Sequence, residues 1–229
     1  YADIQAVAQV MNASDEAEEL LAGLRNRVKH VHDILKAAKA PRPRAALLEW
    51  TDPVYIAGHW GPEQIKRAGG VDVLGTAGAH STTVPMEQLV LADPQFVLFA
   101  PCGYSLKASV AEAKRCLALP QWSWLAGRQV WALDANGLVS RPGPRIVDGI
   151  EAMARILNPL LFTAIDARHG HMYAQIVSGA GQVFRLDHDV IVQAADGQGD
   201  GHDGVHLGCL GQFARIGPAR EGAERLQPV

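Results

Sequence analysis

Four loops of this sequence gather residue types that bind better than they react. The first is Trp50-Thr51-Asp52-Pro53-Val54-Tyr55, followed by Gly58-His59-Trp60. The second is Gly78-Ala79-His80-Ser81-Thr82-Thr83, and the third is Pro101-Cys102-Gly103-Tyr104. The fourth runs Asp134-Ala135-Asn136-Gly137 and then Ser140-Arg141-Pro142-Gly143-Pro144. Aromatic rings supply broad apolar area, and a few polar groups fix orientation. A large flat ligand with apolar faces and a polar rim suits that mixture. Each residue also has a plainer role. Trp50 and Tyr55 fit mostly buried core positions. His59 beside Trp60 fits a helix cap or a core pair. Gly103 and Gly143 fit tight turns, and Arg141 fits a solvated loop charge.

Signatures of catalysis are missing. The chain has no GxSxG elbow, no GxxxxGK[ST] phosphate loop and no HExxH helix. Gly75-Thr76-Ala77-Gly78 is too short for a dinucleotide fingerprint. Cys102 has no histidine near it in sequence, and a reactive thiol needs an electropositive setting, so it reads as a packed thiol. His169-Gly170-His171 and the stretch Asp200–His206 carry metal-ligand types in a glycine-rich context, which is weak evidence for a site. His30 and His32 stand two apart on a helix and face different sides. No catalytic residue, metal or catalytic cofactor is expected.

Composition narrows the classes further. The 229 residues suffice for one or two domains. At 48% apolar and 20% charged the chain can bury an ordinary core. A net charge of -3 argues against a nucleic-acid partner, which wants a basic face. No apolar run is long enough for a membrane-spanning helix. Cys102, Cys116 and Cys209 are odd in number and far apart, which gives neither a disulfide framework nor a zinc pair. The chain begins at Tyr1, and no basic and apolar signal segment precedes the first helix, so the compartment is not read from a targeting signal.

The elements that position the loops follow from periodicity. Ile4, Val7, Ala8 and Met11 predict a short helix over 1–11. Ser14 is the expected N-cap of a long helix over about 14–39, with Asp15, Glu16, Glu18 and Glu19 at its positive end. Its stripe is Leu20, Leu21, Leu24, Val28, Val31, Ile34 and Leu35, and it stops before Pro41 and Pro43. Strands are expected at Ala45–Glu49, Gln95–Ala100 and Gln129–Leu133. Helices are expected at Pro62–Ala68, Met86–Ala92, Leu106–Leu117 and Pro144–Leu157. Strands alternating with helices imply βαβ units, hence an α/β fold around a largely parallel, Rossmann-like sheet. In such sheets ligands sit beyond the carboxyl ends of the strands, where the four loops lie. After about residue 164 the style changes. Met172–Val177, Gln182–Leu186 and Val190–Gln193 read as short strands of a C-terminal appendage of β character or little order.

Three segments carry a resemblance. DPVYIAGHWGPEQIKRAGGVDVLG, VPMEQLVLADPQFVLFAPCGY and LDANGLVSRPGPRIVDGIEAMARIL look like the C-terminal lobe of cobalamin (vitamin B12)-type substrate-binding proteins of ABC importers. These belong to the iron-siderophore and B12 binding superfamily. The resemblance covers roughly residues 43–159, and AGHW, PCGY and SRPGPR are the pattern of the cobalamin-type subgroup. It implies two α/β lobes joined by one long helix, with the ligand between them. On that template residues 1–12 end an N-terminal lobe, 13–42 form the connecting helix, 43–160 form the C-terminal ligand-binding lobe, and 161–229 are a tail of unassigned role. The rest of the N-terminal lobe is not matched by these residues.

The resemblance also assigns roles. Tyr55 matches an aromatic that touches the corrin, and Trp50 lies beside another such position. Ser81 falls where a well-known member has tryptophan, which reduces that contact. Arg141 and Asn136 match polar groups at the ligand rim. Glu87 matches the glutamate that docks this lobe onto arginines of the membrane permease; its plainer role is a solvated carboxylate at a helix start. The expected ligand-binding set is Trp50, Tyr55, His59, Trp60, His80, Ser81, Gly103, Tyr104, Asn136 and Arg141. The expected function is corrinoid capture for an ABC importer in the periplasm. The alternatives are iron-siderophore or haem binding by the same fold, and cytoplasmic corrinoid handling. Siderophore clefts favour arginines over stacked aromatics, so Trp50 and Tyr55 favour a corrinoid.

Overall fold

The computed structural model describes residues 1–162 and the backbones of four later strands. In chain order its elements are α1 (Ala2–Met11), α2 (Ser14–Ala37), β1 (Arg44–Thr51), β2 (Val54–Ile56), α3 (Gly61–Arg67), β3 (Val71–Asp72), β4 (Thr82–Thr83) and α4 (Met86–Leu91). There follow β5 (Phe96–Phe99), α5 (Leu106–Leu117), a short 3-10 helix (Pro120–Leu125), β6 (Gln129–Leu133), α6 (Ala135–Leu138) and α7 (Ile146–Leu157). The later strands are β7 (Ala174–Val177), β8 (Val183–Arg185), β9 (Val205–Cys209) and β10 (Gln212–Ile216).

The centre of the sheet follows from runs of apolar residues that can be buried on both faces. Ala45 and Leu47 of β1, Leu98 of β5, and Trp131 and Leu133 of β6 belong to one core. Their alternates Ala46, Leu48, Val97, Phe99, Val130 and Ala132 belong to the other. Period-two alternation with no polar face means that both sides must be covered. Helices α2, α3 and α7 cover the first face, and α4, α5 and the 3-10 helix cover the second. Leu47, Leu48, Leu98, Phe99 and Leu133 are fully buried, each contributing about 1.5–3 kcal/mol.

The strand order is β4-β2-β1-β5-β6-β7-β8, with β3 against the first residues of β1. β1, β3, β5 and β6 pair in parallel. The flanks are antiparallel: β2 on β1, β4 on β2, β7 on β6 and β8 on β7. The parallel reading therefore holds for the centre and not for the edges. One edge has a simple cause. Only Asp52 and Pro53 separate β1 from β2, and so short a connection can only form a hairpin.

Ser14 is not the N-cap of α2. Ala13 holds that place without a side-chain bond, and Ser14 is already helical. Asn12 adopts a left-handed conformation, φ 53°, that ends α1, so the chain turns one residue earlier than the serine suggests. Buried Ala17, Leu21, Leu24, Val28 and Val31 recur at steps of four and three, one stripe facing the sheet, while Leu20 is exposed.

Arg27 locks α2 onto α7. Its Nε donates to Glu151 at 2.9 Å, and one terminal nitrogen reaches Asp148 at 2.6 Å and Glu151 at 2.7 Å. The bond to Glu151 raises the guanidinium pKa above its ordinary value, against the opposing effect of burial. Arg27→Met is expected to cost about 1–2 kcal/mol, discounted for solvent exposure, because Glu151 loses its bidentate partner and Asp148 keeps only the longer 3.8 Å pair with Arg145. Urea melts at low and high salt check this, with a smaller loss in high salt.

The 3-10 helix and strands β2, β3 and β4 have no counterpart in the sequence reading. Of the expected tail strands, Met172–Val177 and Gln182–Leu186 correspond to β7 and β8. Val190–Gln193 and the stretch His169-Gly170-His171 lie outside the described residues, as does Asp200–His206 apart from the β9 backbone at Val205 and His206.

Candidate functional site

β1, β5 and β6 share one direction, so their carboxyl ends and the loops that follow them lie on one edge. Bonds between those loops make the edge a single structure. The Cys102 amide donates to the Glu49 carbonyl at 3.0 Å, and the Asn136 amide to the Tyr104 carbonyl at 2.9 Å. Gly103 donates its amide to the Ser140 hydroxyl at 3.1 Å. The Trp60 indole nitrogen donates to the Val139 carbonyl at 2.6 Å, crossing from the start of α3 to the loop after α6. The Gln64 amide, buried beneath, donates to the Leu138 carbonyl at 2.9 Å and to that of Ile146 at 3.0 Å. A polar group buried this way is costly to leave unpaired, so these carbonyls hold the loop carrying Arg141 against α3.

The aromatic part of the edge has defined geometry. Trp50 and Tyr55 are cross-strand partners on β1 and β2. Their exposures of 38% and 37% remove the core reading for both. The Tyr104 ring stands edge-on to Trp50, with centroids 5.6 Å apart. Three rings from two of the loops thus meet here, Trp50 and Tyr55 exposed and Tyr104 half-buried.

The histidines form the other part. The His59 and His80 rings lie 5.3 Å apart and edge-on, and His59 also lies 5.8 Å from Trp60. The Ser81 hydroxyl donates to the half-buried Glu49 carboxylate at 2.6 Å and accepts from the Gly58 amide at 3.1 Å. Arg141, exposed, donates to the Asn136 side-chain oxygen at 2.9 Å. The ten residues read as ligand-binding therefore all belong to loops tied into this one edge. Glu87 is exposed in the first turn of α4, away from these bonds.

Glu49 and Val139 went unnoticed in the sequence. Glu49 had a signal, a lone carboxylate closing an apolar strand just before Trp50. Val139 had none, because it acts through its carbonyl.

A pattern matching 116 residues places the family: the periplasmic binding protein family model matches residues 1–116. The chain belongs to that family. A vitamin B12-binding protein of Vibrio cholerae serotype O1 is 30% identical over 104 residues, covering 44% of this chain and 34% of that protein. The chain thus spans about a third of that relative's length. A periplasmic heme-binding protein from Pseudomonas aeruginosa superposes at a TM-score of 0.57 with 23% identity, over 69% of this chain and 58% of that one. A periplasmic heme-binding protein in complex with two hemes superposes at 0.54 with 25% identity, over 70% and 62%.

Further features of the chain bear on chemistry. A separate hollow between α2 and α3 is lined by Arg25, Lys29, Lys36 and Arg42 and by Glu63, which pairs with Lys66 and Arg67 there, and it shares no residue with the edge. Among the described residues no group of three or more His, Cys, Asp or Glu is placed to hold a metal ion, and no helix is long and apolar enough to cross a membrane.

Behind the edge, Thr51 bonds Glu112, which Arg115 holds at 2.7 Å and shifts below the ordinary carboxylate range. Cys116 is buried beside them, and burial first, then the Glu112 charge, push its thiol up to about 11. An unfolded cysteine ionises near ~8.5. The folded state thus resists losing this proton, and the stability it gains is complete below ~8.5 and lost as pH rises toward 11. Cys116→Ala is expected to flatten the alkaline decline of the melting temperature between those values. Exposed Cys102 is expected to alkylate in the native state while Cys116 does not.

Proposed function

We propose that this edge is the C-terminal half of a corrinoid-binding cleft, in a substrate-binding protein that delivers its ligand to an ABC importer. The observation that carries this is the ring group of exposed Trp50 and Tyr55 with half-buried Tyr104, rimmed by Arg141 and Asn136. Flat apolar faces want rings, and the amide side chains of a corrin rim want a few fixed donors and acceptors. The B12-binding relative supports the choice of ligand. On this reading residues 1–12 close an N-terminal lobe, 13–42 are the connecting helix, 43–160 are the C-terminal lobe, and 161–229 are a tail of unassigned role. Glu87 docks the lobe on the permease in the periplasm. An exposed ion pair is worth only about 0–1 kcal/mol, so Glu87 orients and steers.

One lobe supplies part of the contacts of a closed cleft. If the two-lobed cleft binds at about nanomolar, near -12 kcal/mol, these 229 residues are expected to bind at micromolar or weaker. Calorimetry with cyanocobalamin tests this: nanomolar binding by the 229 residues overturns the half-cleft, and no binding at millimolar ligand overturns the corrinoid. Haem is the second reading, favoured by the 25% identical protein solved with two hemes.

A further inference from the structure

We propose that His59 and His80 select the state of the metal at the ligand's centre: the edge prefers a flat tetrapyrrole whose metal has an open axial position, and an imidazole of this pair takes that position. The inference deepens the proposed reading and rests on it.

Four observations carry it. Both rings are exposed, on the edge that bears the aromatic group. Their 5.3 Å edge-on contact brings two imidazoles from different loops to one place. His59 is held in a left-handed conformation, φ 51°, which side chains rarely adopt. Two short backbone bonds impose it: its amide donates to the Ala79 carbonyl at 2.6 Å, and its carbonyl accepts from Gly78 at 2.7 Å. Strain of this kind persists where the surroundings over-determine it, and it clusters at ligand clamps. The same two bonds carry His80 on the adjoining residue, so the strain and the pairing have one cause. Ser81 tightens the arrangement, bonding Gly58 and Glu49 from the next position.

Two imidazoles are too few to hold a bare ion, which wants three or four ligands. A metal already bound by four macrocycle nitrogens needs only one or two more, and histidine is a common axial choice. The step is a ligand exchange. The metal–oxygen bond to a bound water breaks, a metal–nitrogen bond to the neutral imidazole forms, and the water leaves; no electron moves. Cobalt in a corrinoid lacking its nucleotide base and iron in haem share this chemistry. Cobalamin with cyanide above and its base below has no open position.

The test titrates the 229-residue chain with aquacobinamide, hemin and cyanocobalamin, followed by absorbance and equilibrium dialysis. Parallel titrations use His59→Asn, which tolerates the left-handed backbone, His80→Ala and the double variant, with circular dichroism to confirm folding. The expected result is an imidazole-type spectral shift with aquacobinamide or hemin, and binding of that probe at least about tenfold tighter than cyanocobalamin. The double variant loses the shift and the tenfold preference. The probe that shows the shift identifies cobalt or iron as the metal. Binding of all three without a shift, or a shift that survives the double variant, overturns the inference and leaves the proposed cleft standing. Binding of none overturns both.

Discussion

Replacing Gly58 by alanine is expected to lower stability by about 2–4 kcal/mol and to open the candidate site. A Cβ built there runs into the Ser81 amide nitrogen, and meets the Ala79 carbonyl oxygen and the His80 carbonyl carbon at 2.5 Å. All three are backbone atoms, so no side chain can swing away. The segments 58–60 and 78–81 must separate, and the bonds from Gly58 to Ser81 and from His59 to Ala79 must lengthen with them. The His59–His80 ring contact goes too. Gly78 and Gly103 provide the control. Both have positive φ but open space around the missing Cβ, so alanine there meets only conformational strain, about 1–2 kcal/mol. Urea melts of the three variants rank them. A Gly58→Ala midpoint no lower than that of the controls would mean that these loops are not packed as described.

This contact shows why part of the site was legible in the sequence and part was not. The loops were legible, because strand runs such as Ala45–Glu49 and Gln95–Ala100 have no polar alternates and must lie inside a covered sheet. Once the strands are placed, their carboxyl ends, and hence Trp50, Tyr104 and Arg141, fall on one edge. The edge strands were not legible. β2, β3 and β4 are two or three residues long, too short for any period, and β4 is two exposed threonines. The His59–His80 pair depends on them, since β2 and β4 pair through Tyr55 with Thr83 and Ile56 with Thr82. A residue at positive φ leaves no mark when it is histidine and not glycine. The carbonyls of Val139 and Ala79 leave none either, because every residue has one.

The second large effect is on binding and not on stability. Trp50→Ala with Tyr55→Ala is expected to weaken corrinoid binding by about 2–4 kcal/mol, roughly thirty- to several hundredfold. The two rings are cross-strand partners, and both face solvent in the free chain. Truncating them removes the exposed part that a ligand would bury, together with the already buried part of each ring and the Trp50–Tyr104 contact, so the folded chain is expected to lose about 1–2 kcal/mol. A core pair would behave in the opposite way, costing several kcal/mol in stability and leaving binding to fall only with the fold. Glu87→Ala separates ligand capture from delivery. It is exposed on α4, away from the edge bonds, so corrinoid affinity is expected to be unchanged within error, while association with the permease slows and loses salt dependence. If the double aromatic variant binds as well as the parent, the ligand does not stack on these rings.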